Sequence, residues 1–362
     1  MTGLSSLLGR LHLQPGRVPA LSGGRPEATR LAIGTPAQEL PTRLATLYTL
    51  CAHAHRFTAS LALDAAVGRA FDAGADELQA LRLATARDQV MRMAIEWPLR
   101  LGIAAQGDRF EPSLRGCPLW RSRGSHTDAL AALPGWLAHH WLGPAPEVWL
   151  AALDADPARA VAIWCERAGG PLAALLRKVQ RAALAIEASG PPWLPLDDPL
   201  ANLPALAARL AHRDEPVAAG SVVPDTGPWT RSRDPLRAPV GDAWMRMVSR
   251  LVDLVRLAAP GGEQWLAHGA LNTGPGQGLA WTEMARGLLV HWVALDGGGT
   301  RVADLRVLAP TDLNFHPQGI LARALATMPA RGSADAARLL AVAFDPCVEF
   351  DVVDDAPEAA HA

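Results

Sequence analysis

Cys51 and His55 stand four residues apart in Cys51-Ala52-His53-Ala54-His55, and much later in the chain Cys347 closes the tripeptide Asp345-Pro346-Cys347. On a helix, residues four apart share a face. The Cys51 thiol and the His55 imidazole could therefore serve a metal, act as a nucleophile with its base, or simply pack. Taken alone, the structural role is the commoner one, because free cysteine is often a small core residue. Asp-Pro-Cys by itself is a short pattern that also arises by chance. His53 and Glu349 are further conceivable ligands beside the two thiols, although a neighbour of a ligand on one helix more often points elsewhere.

The elements that must position these residues can be read from periodicity and punctuation. Residues 1 to 34, rich in Gly, Pro and Arg, form an irregular or short-strand arm. From about 36 to 67 an Ala- and Leu-rich stretch predicts one helix, with Thr35 as N-cap, Pro36 at the first helical position and Gln38 completing a capping box. A second helix is predicted from about 76 to 96, ended by Pro98. Others are predicted at 127 to 142, 157 to 188 with a break at Pro171, 198 to 212, and 242 to 259. Residues 213 to 240 collect prolines, glycines and charges and read as a long surface connection. Two β-like runs, 287 to 295 and 301 to 308, flank Asp296-Gly297-Gly298-Gly299-Thr300, a hairpin signal. Helices at about 317 to 328 and 333 to 344 then deliver the chain to Asp345. Gly274-Pro275-Gly276-Gln277-Gly278 resembles a phosphate loop only superficially, for it lacks a preceding strand and a Lys-Ser/Thr ending.

Composition narrows the class. With 362 residues and 49% hydrophobic content the chain can bury a large core. A formal net charge of −2, without a basic stripe, gives no nucleic-acid footprint. Four dispersed cysteines form no disulfide framework, which suits a reducing cytoplasm, and Cys117 and Cys165 are expected to pack. No secretory signal and no membrane-spanning run is apparent, so direct membrane insertion is not expected. The tryptophans are scattered and read as core or interface residues.

Four segments occur in an order that carries more information than any of them alone. They are the Cys51–His55 stretch, Glu283-Met284-Ala285-Arg286-Gly287 running on to His291, Ala309-Pro310-Thr311-Asp312-Leu313-Asn314, and Asp345-Pro346-Cys347. This series resembles the large subunit of nickel-iron hydrogenases, which shows Cys-x-x-Cys-x-x-x-His, Glu-x-Pro-Arg-Gly-x-x-x-His, Val-Pro-Ser/Thr-x-x-Asn and Asp-Pro-Cys-x-x-Cys-x-x-His. The resemblance covers about 36 to 70 and 278 to 350 and is weak between. It implies a mainly α, α+β fold: a helical bundle with a small antiparallel sheet, as a truncated large-subunit-like fold. Residues 1–350 would form a single domain and 351–362 an acidic, flexible tail.

In that family four thiolates hold nickel, and two of them bridge to an iron carrying carbon monoxide and two cyanides. The resemblance puts Cys51 at a bridging position and Cys347 at a nickel-terminal one, with Arg286 beside the cyanides and Thr311 as a hydroxyl donor to a cyanide. His55 falls at the histidine of the N-terminal motif. Tyr48 and Phe350 stand where the partner cysteines would be, Val353 where the last histidine would be, and Ala285 replaces the family's proline. The proton-relaying Glu-Gly-His segment has no counterpart in residues 1 to 35. Two thiols cannot build a four-thiolate nickel site, so no nickel and no hydrogen turnover are expected.

A chain of this kind resembles the accessory proteins of the HupK/HoxV type, which implies a non-enzymatic maturation factor. Such a scaffold would carry the Fe(CN)2CO fragment transiently and deliver it to the hydrogenase large-subunit precursor, meeting maturation chaperones on the way. The alternative is a metal-free structural or chaperone-like relative that binds maturation partners or a small molecule. A third reading, a hydrogenase with unusual ligands, is the least favoured.

Overall fold

The computed structural model describes residues 9–25, 28–70, 73–103, 108–120, 125–212, 223–234 and 240–353. Two short strands open this part of the chain, β1 (Arg10–Leu13) and β2 (Leu21–Gly24), followed by the helices that carry the first motif. After a long helical middle come β3 (His268–Gly274), β4 (Gln277–Met284), β5 (Gly287–Leu295) and β6 (Val302–Leu308). Helices Pro310–Asn314, Ile320–Thr327 and Ala334–Phe344 lead to β7 (Glu349–Val352).

Strands β3 to β6 form an antiparallel meander in sequence order. The expected β5–β6 hairpin is present: Asp296 accepts backbone N–H groups of Thr300 and Arg301, closing the glycine-rich turn. The Gly274–Gly278 stretch is the β3–β4 turn, which fits its failure as a phosphate loop. One face of the meander packs on the helix Ala52–Ala66, here called the His55 helix. The fit is close at Gly278, where a Cβ would lie 2.1 Å from the Ala62 carbonyl oxygen. Thr58 of that helix donates to Thr282 of β4 at 2.8 Å, joining helix and sheet through the core.

A second sheet joins the two ends of the described chain. β1 pairs antiparallel with β2 and parallel with β7, Arg10 opposite Glu349 and Leu13 opposite Val352. The strand after Cys347 is thus anchored to the start of the chain. A large hydrophobic core runs from Leu11 in β1 to Val348 beside β7, and includes Leu44, Phe57, Trp97, Leu251 and Phe344.

Four sequence expectations are corrected. The helix expected from 36 to 67 is broken into a 3-10 turn (Ala37–Glu39), a helix Leu40–Leu47, a second 3-10 turn (Thr49–Cys51) and the His55 helix. Thr35 bonds back to the Ala32 carbonyl instead of capping. The break falls at Tyr48 (φ −116°, ψ 63°), so Cys51 occupies the N-cap position of the His55 helix and not its interior. Pro98 does not end the second helix. Ala75–Met91, here the Asp88 helix, passes into a π-helical turn, Arg92–Glu96, which changes the hydrogen-bond register, so Pro98 enters at the first turn of Trp97–Arg100 where its missing N–H costs little.

Residues 223–234 of the supposed surface connection are largely buried: Asp225, Thr226, Trp229 and Arg231 lie inside, while 213–222 and 235–239 lie outside the described residues. Asp351 and Val352 belong to β7 and not to a loose tail, of which 354–362 lie outside the described residues. The remaining helices, His126–Leu137 with its π-helical end to Leu142, Pro157–Arg167, Pro171–Leu184, Pro199–Ala211 and Ala243–Ala258, fall where periodicity placed them, and Pro171 does separate two helices.

Arg286 sits at the tip of the β4–β5 hairpin, where Met284 pairs with Gly287 across a two-residue loop. Gly287 takes φ 135°, and a Cβ there would meet the Thr226 hydroxyl oxygen at 2.7 Å. Gly287→Ala is expected to destabilise the fold by about 1–3 kcal/mol, the usual range for forcing a side chain into such backbone, read from the urea unfolding midpoint.

Candidate metal-cargo site

The four segments singled out in the sequence converge on one guanidinium. Arg286 is fully buried, and its Nη1 donates to the Cys51 sulfur at 3.0 Å. Cys347 lies near enough for its charge to bear on both Arg286 and Cys51. Thr311 closes the other side: its hydroxyl donates to the Cys347 sulfur at 3.1 Å and accepts the Cys347 backbone N–H at 3.2 Å. Both cysteines are free thiols.

What holds Arg286 is Asp345. This residue leaves the last helix in the left-handed region (φ 57°), the only described non-glycine residue to do so. The turn places its buried carboxylate among three guanidiniums: Arg92 Nε at 3.2 Å, Arg250 Nη1 at 3.3 Å and Arg286 Nε at 3.4 Å. Arg92 comes from the π-helical turn, where it also pairs with Glu96, and Arg250 from the helix Ala243–Ala258. Asp88 stands 3.8 Å from Arg286 Nη1. Burial opposes the charge of Arg286, but Asp345, helped by Cys51 and Asp88, more than offsets it, and its pKa lies above the ordinary arginine value. Neither its Nη2 nor its Nε is in hydrogen-bond geometry with a partner, so its contact with Asp345 is an ion pair.

Burial acts on Cys51 in the opposite sense. It pushes the thiol up to about 12, against the lowering by Arg286, so at neutral pH Cys51 keeps its proton. Metal coordination requires the thiolate, and loading such a site would release that proton. A groove of about 180 Å³ runs past Cys51, lined also by His53, Ala84, Thr85 and Asp88.

His55 faces away from this convergence toward Tyr48 and His291. Its ring stacks on Tyr48 with centroids 4.1 Å apart, and its Nδ1 lies 3.1 Å from His291 Nε2. Glu349 is an exposed partner of Arg100. His316 Nδ1 accepts the Gln318 backbone N–H, a structural role, and Cys117 and Cys165 are buried as expected. Glu283, first residue of the hairpin motif, accepts backbone N–H groups of Ser232 and Ala267 and so fixes the hairpin's surroundings. The replacements of the missing cysteines are packed: Tyr48 between His55 and Arg25, and Phe350 under Arg100 with the guanidinium carbon 5.2 Å from the ring centroid. Among the described residues no three His, Cys, Asp or Glu side chains come together to hold a metal ion.

Sequence reasoning gave Asp345, Arg92, Arg250, Asp88 and Arg25 no role. Asp345 was visible as part of Asp-Pro-Cys. The others carry no local signal, because each is brought in from a distant element.

The His55–His291 pair makes stability depend on pH. Burial, with the charge of Arg25, pushes His291 down to about 3, and burial followed by His291 and Arg25 pushes His55 well below its usual value. The folded protein holds both neutral, whereas the unfolded chain takes up protons below about pH 6.5. Their contribution is complete above that pH and is lost as pH falls toward 3, by up to about 1.4 kcal/mol per histidine per pH unit. Urea midpoints measured from pH 7 to 4.5 should fall more steeply for the native protein than for His291→Asn. Parallel slopes would contradict this assignment.

No protein-family model matches the chain. Individual proteins do. It is 36% identical to the hydrogenase expression/formation protein HoxV of Cupriavidus necator, with 97% of each chain covered. It is 30% identical to HupK of Bradyrhizobium diazoefficiens, covering 93% of this chain and 92% of that one, and 31% identical to HupK of Azotobacter vinelandii, covering 96% and 98%. In structure it is similar to an NAD+-reducing NiFe hydrogenase in the H2-reduced state, with TM-score 0.52, 15% identity and coverage of 90% of this chain and 92% of that one. For a NiFeSe hydrogenase of Dm. baculatum the TM-score is 0.51, with 12% identity and the same coverage. These matches run through the middle of the chain, where the motifs gave no sign of the fold. The mainly α, large-subunit-like architecture expected from the motifs is the one observed, and the chain belongs to the HoxV/HupK family of hydrogenase expression/formation proteins.

Proposed function

We propose that this protein is a hydrogenase maturation factor that carries the Fe(CN)2CO fragment as cargo and passes it to the large-subunit precursor. The observation that supports it best is the setting of Arg286. A buried, permanently charged group touches one thiol, acts on the other, and keeps an N–H without a partner. An iron atom bearing anionic cyanides would be held by thiolates and need donors for the cyanide nitrogens, and a guanidinium is well suited to that task. Thr311 would serve the same end by turning its hydroxyl from the Cys347 sulfur once that sulfur is metal-bound.

In this reading Cys51 and Cys347 bind the iron and Cys51 gives up its proton on loading, its negative charge then facing Arg286. His55 is a supporting residue, keeping Tyr48 in the place of a third thiol. Two thiolates hold the fragment less completely than four, so a precursor offering a full set can take it over. With no thiol placed beside Cys51 and Cys347 to complete a four-thiolate set, the carrier binds no nickel and turns over no hydrogen. It works in the cytoplasm as a non-enzyme, meeting maturation chaperones and the precursor transiently.

In cells lacking the native gene, Cys51→Ser and Cys347→Ser are expected to leave the precursor without its iron fragment and to cut hydrogenase activity severely, while Cys117→Ala supports maturation. Arg286→Ala should weaken loading by roughly 10- to 100-fold, as loss of an outer contact does at other metal sites. Full maturation with a Cys51→Ser, Cys347→Ser double variant would favour a metal-free, chaperone-like role.

A further inference from the structure

Arg25 is a buried cation that the motif segments do not include. It follows β2 directly, and its side chain is only 9% exposed. Nε and Nη2 grip Asp312 at 3.2 and 2.7 Å, and the guanidinium carbon lies 4.9 Å from the centre of the Tyr48 ring. Asp312 follows Thr311, whose hydroxyl is on the Cys347 sulfur, and its carboxylate is fixed by the Ala309 backbone N–H at 2.8 Å. Arg25 is thus set beside the Cys347 half of the site, within range of that sulfur's charge. Its Nη1 is buried with no acceptor in hydrogen-bond geometry, and the buried Tyr48 hydroxyl, likewise without a geometric partner, is close enough to the same guanidinium to be influenced by it.

A guanidinium that binds a carboxylate with two nitrogens and leaves a third donor buried and unpaired is incomplete as a structural ion pair, because an unmet buried donor is costly. We propose that Arg25 is a second anion-recognising residue of the cleft: with Arg286 on the Cys51 side and Arg25 on the Cys347 side, the thiol pair accepts an anionic, thiol-bound group such as a metal–cyanide complex and disfavours a bare divalent cation. The identity of the cargo rests on the carrier reading above, but the charge presented to Cys347 does not.

Iodoacetate and iodoacetamide test that charge without iron. Both alkylate the same thiolate, so the ratio of their rates cancels its ionisation and reports the local potential. The native protein is exposed briefly to each reagent and the Cys347 peptide quantified by mass spectrometry. The iodoacetate/iodoacetamide ratio should exceed that of a free cysteine peptide, fall on the order of tenfold in Arg25→Gln, as expected for one charge acting across several ångströms of protein, and be retained in Arg25→Lys. It should stay low in the Arg25→Gln, Asp312→Asn double variant. A native ratio no higher than the free peptide's overturns the proposal even if the variants fold poorly. So does a double variant that returns to the native ratio, since Arg25 would then only neutralise Asp312.

Discussion

The site depends on one buried carboxylate. Asp345 ends the last helix in a conformation that L residues rarely adopt, and three guanidiniums from three elements close on it. Removing one partner of a buried ion pair strands the other's charge and typically costs about 3–5 kcal/mol, so such a hub constrains everything bound to it. Through Arg92 it fixes the π-helical turn, through Arg250 a central helix, and through Arg286 the hairpin tip. Cys347 follows two residues later. The ion pairing that orients Arg286 therefore also sets where the second thiol can lie, and the parallel β1–β7 pairing holds the strand beyond it. Arg286 Nη1 is thereby left free of the carboxylate to meet the Cys51 sulfur, and its Nη2 has no hydrogen-bond partner.

The substitutions at Tyr48 and Phe350 change the chemistry without emptying the space. Tyr48 breaks the helix ahead of Cys51, stacks on His55 and lies under Arg25; Phe350 sits in β7 under Arg100. Both side chains are packed, while Cys51 keeps its contact to Arg286 and Cys347 its contact to Thr311. On the carrier reading proposed above, two thiols, with Cys51 protonated at rest, would suit a group that arrives and leaves.

Much of the candidate site was legible because four short motifs keep their order, and the structure brings Cys51 onto Arg286 and Cys347 onto Thr311. The fold was legible where periodicity is strong, as in Ala243–Ala258 and the β5–β6 hairpin. It was least legible where long-range contacts overrule local composition. The prolines and glycines of 223–234 read as surface, yet Arg231 is buried in a two-point ion pair with Asp253, and Thr226 is held by Asn314. The single helix expected over 36 to 67 is broken at Tyr48, and nothing local announces that Arg10 pairs with Glu349 or that Arg25 reaches Asp312. His55 stood out by its spacing from Cys51, but a helix that begins at residue 52 turns it toward His291.

The central claim is that Cys51 and Cys347 hold one iron–cyanide–carbonyl group between them. It is tested most directly by the infrared spectrum of the protein purified anaerobically from cells that make the maturation machinery, beside the Cys51→Ser, Cys347→Ser variant. Cyanide and carbonyl stretching bands in the native protein, absent from the variant, are the predicted result. A native spectrum without such bands, from protein that still supports hydrogenase maturation in those cells, would contradict it.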